Sequence, residues 1–113
     1  MALVTWLEAC RAAGEKPVPA NDPVFGYAST VGIGEELIAL CWREFKRRYA
    51  ASSKGQADWR KKFRNCVEGN WYGLWYVPPG EPARLSSKGE QAKRYWAAAD
   101  SADDATGGER GVA

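Results

Sequence analysis

Between Glu35 and Tyr49 the apolar side chains recur at helical spacing: at about 100° per residue, Leu37, Ile38, Cys41, Trp42, Phe45 and Tyr49 share one arc of about 140°. Arg43, Lys46 and Arg47 collect on the far side. An apolar stripe that wide needs another element to cover it, so the segment demands a packed helical partner. Glu35 and Glu36 suit the positive end of this helix, and Arg47 and Arg48 suit its negative end. The partner follows closely. After the breaker Ala51-Ser52-Ser53-Lys54-Gly55, a helix over about 56–69 aligns Trp59, Phe63, Cys66 and Val67, with Arg60 and Arg64 at the edge of the stripe and Lys61 opposite. Joined by a short turn, the two helices form an αα-hairpin expected to bury Trp42, Phe45, Trp59 and Phe63 and to turn two cationic faces outward.

Charge is concentrated in the same region. From Cys41 to Trp75 nine Lys/Arg face three acids, a formal charge of +6, and the rest of the chain carries −4. The net charge of +2 therefore conceals a polarised molecule. A solvated helix face normally mixes signs, whereas Arg43, Lys46, Arg47, Arg60, Lys61, Lys62 and Arg64 have few acidic neighbours in sequence. Such asymmetry points to a polyanionic partner. Trp71, Tyr72, Trp75 and Tyr76 add four large rings within six residues, too many to bury together in a small domain. At least one of Trp71 and Tyr72 is expected to stay exposed enough to stack on an unpaired base.

Composition removes whole classes of function. The chain contains no histidine, which takes away the commonest general base, the usual partner of a nucleophilic Ser or Cys, and the commonest catalytic metal ligand. No paired carboxylates, phosphate-cradling glycine loop or activated nucleophile replaces it. The expectation is a non-enzyme with no catalytic residue, no cofactor and no metal. Cys10, Cys41 and Cys66 are odd in number and far apart, the pattern of reduced, buried thiols. No apolar run approaches the roughly 20 residues of a membrane helix, and no signal-peptide pattern opens the chain. A cytoplasmic protein without a membrane partner is expected.

The flanks complete a mainly α fold. Thr5-Trp6-Leu7-Glu8 has capping-box spacing for a helix over about 4–13 that stops at Gly14. Asp22 and Pro23 open a second helix, 23–30, halted by Gly32. Leu74–Val77 and Ala83–Leu85, separated by Pro78-Pro79-Gly80-Glu81-Pro82, read as a short β-hairpin or wing near 74–86. Ser86 or Ser87 caps a last helix, from Lys88 to about Ala99. Residues 100–113 are small, acidic and Gly-rich, and read as a disordered tail. The expected architecture is one bundle of about five helices over 1–99, with its central module at about 22–76.

Several phrases resemble one family. Gly32–Phe45 carries GI-x-EEL-x(4)-W-x-x-F, and Asp58–Asn65 carries DW-x-x-x-F-x-N, in matching order and spacing. With WLEACRAAGEKPVPANDPVF before them and RLSSKGEQA after, about four-fifths of the chain resembles the single-stranded-DNA-binding domain of primosomal protein DnaT and the related C-terminal domains of phage and prophage replication proteins. The resemblance implies a helical module that binds single-stranded DNA and takes part in helicase loading or primosome assembly. A replicative helicase or its loader would be its protein partner, and self-association is left open. Trp42, Phe45, Trp59 and Phe63 would then be the packing signature, and the basic residues beside them the DNA surface.

The candidate strand-binding residues are Arg43, Lys46, Arg47, Lys54, Arg60, Lys61, Arg64, Trp71 and Tyr72, cations for the backbone and rings for the bases. Reversing Arg47, Lys61 and Arg64 together is expected to leave the fold intact and to weaken strand binding. Two other readings compete: a winged-helix-like double-stranded-DNA regulator that uses the 74–86 hairpin as its wing, and an interaction module whose exposed rings dock on replication proteins.

Overall fold

The stripe on Glu35–Tyr49 does meet its partner. The computed structural model describes residues 1–112, with side chains described for residues 1–102. It is mainly α, with helices α1 (Leu3–Ala13), α2 (Pro23–Val31), α3 (Glu35–Tyr49), α4 (Trp59–Glu68) and α5 (Ser87–Val112) and strands β1 (Trp75–Tyr76) and β2 (Arg84–Leu85). The strands pair antiparallel, Trp75 with Leu85 and Tyr76 with Arg84, in the expected hairpin. No helix among the described residues is long and apolar enough to cross a membrane.

At the centre, Phe45, Trp59 and Phe63 are essentially fully buried. Phe45 meets Trp59 and Phe63 edge-on at centroid distances of 5.9 and 5.4 Å, and Tyr49 meets Trp59 at 5.2 Å. Truncating a ring buried this way costs about 3–5 kcal/mol in comparable cores, so this cluster is the main cohesion between α3 and α4. Trp42, expected in the core, is half-buried at its edge, stacked on Phe45. One contiguous core runs from Leu3 of α1 through Val24 and Ala28 of α2 to Leu74, Trp75 and Ala92 of α5. The Cys41 and Cys66 thiols meet inside it at 3.8 Å, and that contact, with burial, pushes the Cys41 thiol up.

Helix ends follow the sequence where local chemistry decides them. Asp22 caps α2 by accepting the Val24 amide at 2.9 Å, and Pro23 occupies the first turn. At the end of α4, Asn70 adopts a left-handed conformation (φ 47°), its amide donating to the Val67 carbonyl and the Trp71 amide to that of Cys66. This Schellman closure throws Trp71 outward.

Where long-range contacts decide, the structure corrects the sequence. Helix α1 begins at Leu3 with no side-chain cap, so the Thr5–Glu8 box is not its start. Buried Leu3 and the Met1 carbonyl, which accepts Trp59 Nε1 at 2.8 Å and the Gln56 amide at 3.1 Å, fix the entry instead. The same bonds hold Gln56 outside α4, so that helix begins at Trp59 rather than near 56. Asp58, which falls inside the expected helix, is its N-cap and accepts the Lys61 amide at 3.0 Å. The connection from Ala50 to Asp58 is a nine-residue loop rather than a short turn. Helix α5 extends past the expected end at Ala99, so Asp100–Ala102 of the expected tail are helical; the rest of the tail lies outside the residues with described side chains.

Gly89 sets how closely α5 approaches the hairpin. A Cβ there would stand 1.9 Å from the Leu74 carbonyl oxygen and 2.8 Å from a Leu85 methyl. Gly89→Ala must push α5 off Leu74, and the expected cost is about 1–3 kcal/mol by denaturant melt. Gly26→Ala on α2, where a Cβ meets open space, is the control, with no loss of stability expected.

Candidate nucleic-acid interface

Part of the α3 face expected to point to solvent instead meets α5, through Arg43, Glu44 and Arg47. Its organiser is Glu44, only 3% exposed. Arg47 donates to it through Nε at 3.1 Å and Nη2 at 2.8 Å, Arg48 through Nη2 at 3.4 Å, and Trp96 of α5 through Nε1 at 2.9 Å. The Arg47 bonds hold the Glu44 carboxyl below the usual carboxylate range against the opposing effect of burial; the Trp96 bond and Arg48 add to the lowering. Each guanidinium also lies on a ring, Arg47 over Tyr95 at 5.3 Å and Arg48 over Tyr72 at 4.2 Å.

These contacts build one wall of a groove of about 450 Å³. Glu44, Arg47 and Arg48 of α3 form that wall, Trp71, Tyr72 and Leu74 come from the turn after α4, and Lys88, Gln91, Ala92 and Tyr95 come from one face of α5. Trp71 is 45% exposed and Tyr95 54%. Lys62 lies over the Trp71 ring at 5.4 Å. Tyr72 is half-buried, and burial, followed by the Cys66 thiol beneath it, pushes its phenol up. The turn is held firmly: Asn70 Nδ2 donates to the Trp75 carbonyl at 2.8 Å, the Ser86 hydroxyl donates to the Gly73 carbonyl, and the Ser86 amide donates to Leu74 at 3.0 Å. Lys88 lies across Gly73, its Cδ 3.4 Å from where a Cβ on that left-handed glycine would be. The result is a concave surface with three cations, three rings and a rigid floor.

Of the sequence candidates, Arg47, Trp71 and Tyr72 meet in this groove. The others scatter, and acids distant in sequence capture three of them, Arg43, Arg60 and Arg64. Arg43 pairs with Asp100 at 3.0 Å and covers Trp96, locking α5 to α3. Arg60 donates to the Pro17 and Lys16 carbonyls at 2.8 and 3.0 Å and lies 3.7 Å from Glu15, tying the α1–α2 linker to α4. Arg64 lies 3.5 Å from the buried Asp22. Lys46 covers Trp42 at 5.5 Å, in a separate cleft with Arg11 and Lys16. Lys54 and Lys61 are exposed, and among the described residues Lys46, Lys54, Lys61 and Lys62 make no ion pair. The expectation that the arginines lack acidic partners is therefore corrected for Arg43, Arg47, Arg60 and Arg64.

No protein-family model, curated protein or solved structure matches this chain.

Arg48, Lys88, Gln91 and Tyr95 line the groove without having stood out in the sequence as site candidates. The signal existed, since Lys88, Gln91, Ala92 and Tyr95 recur at the i, i+3, i+4, i+7 spacing of one helix face.

Proposed function

We propose that this protein is a non-enzymatic single-stranded-nucleic-acid-binding module acting as a replication accessory. The observation that carries the reading is the groove, where the exposed rings of Trp71 and Tyr95 stand beside Arg47, Arg48 and Lys88. Ring faces stack on unpaired bases, and fixed guanidinium and ammonium groups neutralise backbone phosphates, so the combination favours a single strand with little sequence preference. Glu44 orients the two arginines before any ligand arrives, so little side-chain freedom is lost on binding. DNA as the strand, and helicase loading or primosome assembly as the setting, come from the resemblance to the DnaT-type domain.

The double-strand reading is less well supported. Helices α2 and α3, joined by the three residues Gly32–Gly34, are the pair with helix-turn-helix spacing, but the first turn of α3 carries Glu35 and Glu36 where a recognition helix would present groups to the DNA. The tip of the hairpin, Val77–Pro82, carries no cation, and Arg84 is paired with Glu81 at 2.8 Å.

Trp71→Ala tests the reading. Stacking contributes about 1–3 kcal/mol per base, so the variant is expected to bind a labelled oligothymidylate about tenfold or more weakly by fluorescence anisotropy, with its melting curve unchanged. Undiminished affinity in a folded Trp71→Ala protein would remove the groove from the strand path.

A further inference from the structure

The groove is compact. Its volume, about 450 Å³, lies in the lower part of the range of about 300–1,000 Å³ typical of sites for single small ligands. Its cations also converge instead of tracking across the surface. The Nη2 atoms of Arg47 and Arg48 are bonded to the same Glu44 oxygen, Oε1, at 2.8 and 3.4 Å, which holds the two guanidiniums side by side. Lys88 is the third cation of the same lining. Beyond it, Arg43, Arg60 and Arg64 are committed to Asp100, to the Lys16 and Pro17 carbonyls, and to Asp22. The Lys46 cleft brings Arg11 and Lys16 together, but its ring, Trp42, is half-buried and stacked on Phe45.

With Glu44 ionised between its two arginines, the lining formed by Arg47, Arg48 and Lys88 carries a net charge of +2, more than an internal phosphodiester, with a single negative charge, neutralises. A phosphomonoester carries about −1.5 to −2 at pH 7 and offers three acceptor oxygens to the forked guanidinium donors. We infer that the groove takes a nucleotide bearing a phosphomonoester, its base stacked on Trp71 or Tyr95 and its phosphate held by Arg47, Arg48 and Lys88. The inference rests on the single-strand reading above and narrows it to the phosphorylated end of a strand, with a free nucleoside monophosphate as the other source of the same chemistry.

The test compares oligothymidylates that are identical except for a 5′-phosphate, a 3′-phosphate or two free hydroxyl ends, by competition against a labelled strand, with thymidine monophosphate and inorganic phosphate alongside. A phosphorylated end is expected to bind about tenfold more tightly than the unphosphorylated strand. Lys88→Gln, an exposed position, should shrink that preference without changing the melting curve. The preference should also shrink as pH falls from about 7 to 5, because the second phosphate ionisation lies near about 6. Thymidine monophosphate competing as well as the phosphorylated strand would identify a free nucleotide as the occupant; a much weaker effect would identify the strand end. Equal affinity for all three strands would overturn the inference and leave the single-strand reading standing, whereas no binding to any strand would overturn both.

Discussion

Glu44→Ala is expected to cost about 3–5 kcal/mol of folding stability, the range for removing one partner of a buried charge network. The carboxylate is almost completely buried, and its loss leaves Arg47, Arg48 and the Trp96 indole without their acceptor. The network also predicts a pH dependence. Since the folded protein holds the Glu44 carboxyl below its ordinary range, its contribution is fully present above the unfolded-state pKa, near about 4.3, and is lost as pH falls through the lower folded value. Urea melts of the wild type and Glu44→Gln at about pH 7 and about pH 3 should show a gap that narrows in acid. A gap that does not move with pH would mean that the charge on Glu44 is not what holds α5 to α3.

Arg64→Glu is expected to destabilise the fold by about 3 kcal/mol, while Lys61→Glu, three residues away, changes stability by no more than about 0.5 kcal/mol. Arg64 faces Asp22, which is buried and caps α2 through the Val24 amide. Reversal sets two carboxylates against each other and strains both the cap and the α2–α4 contact. Lys61 is exposed, and an acid in the first turn of α4 suits the helix dipole. Simultaneous reversal of Arg47, Lys61 and Arg64 is therefore expected to destabilise the fold as well as change the surface, because Arg47 and Arg64 are each paired with a buried acid. Thermal melts of the two single variants decide this directly; equal stability would show that the Arg64–Asp22 pair contributes nothing.

Elements governed by local chemistry were legible in the chain: the Asp22-Pro23 start of α2, the amphipathic span of α3, the hairpin around Pro78–Pro82 and an exposed ring at Trp71 or Tyr72, which the structure places at Trp71. What sequence hid was the second face of α3. A pattern of Arg43, Glu44, Arg47 and Arg48 reads as a solvated surface because burying charge is normally costly. Glu44 is nonetheless buried, because its partners come partly from within α3 and partly from Trp96, 52 residues away. Pairings such as Arg43 with Asp100 and Arg60 with Glu15 likewise depend on which helices become neighbours, and periodicity does not encode that. The candidate site was half visible for the same reason. Its turn rings stood out by density, whereas Lys88 and Tyr95 became relevant only once Gly89 let α5 settle against Leu74.

The central claim is a groove that binds single strands through phosphate neutralisation and base stacking. It is tested most directly by anisotropy titrations of single-stranded and duplex oligonucleotides of equal length, at two salt concentrations, with wild-type protein and Trp71→Ala side by side. The account predicts a preference for the single strand, affinity that falls as salt rises, and a clear loss in the variant. Equal binding of duplex and single strand, or binding indifferent to both salt and Trp71, would contradict it.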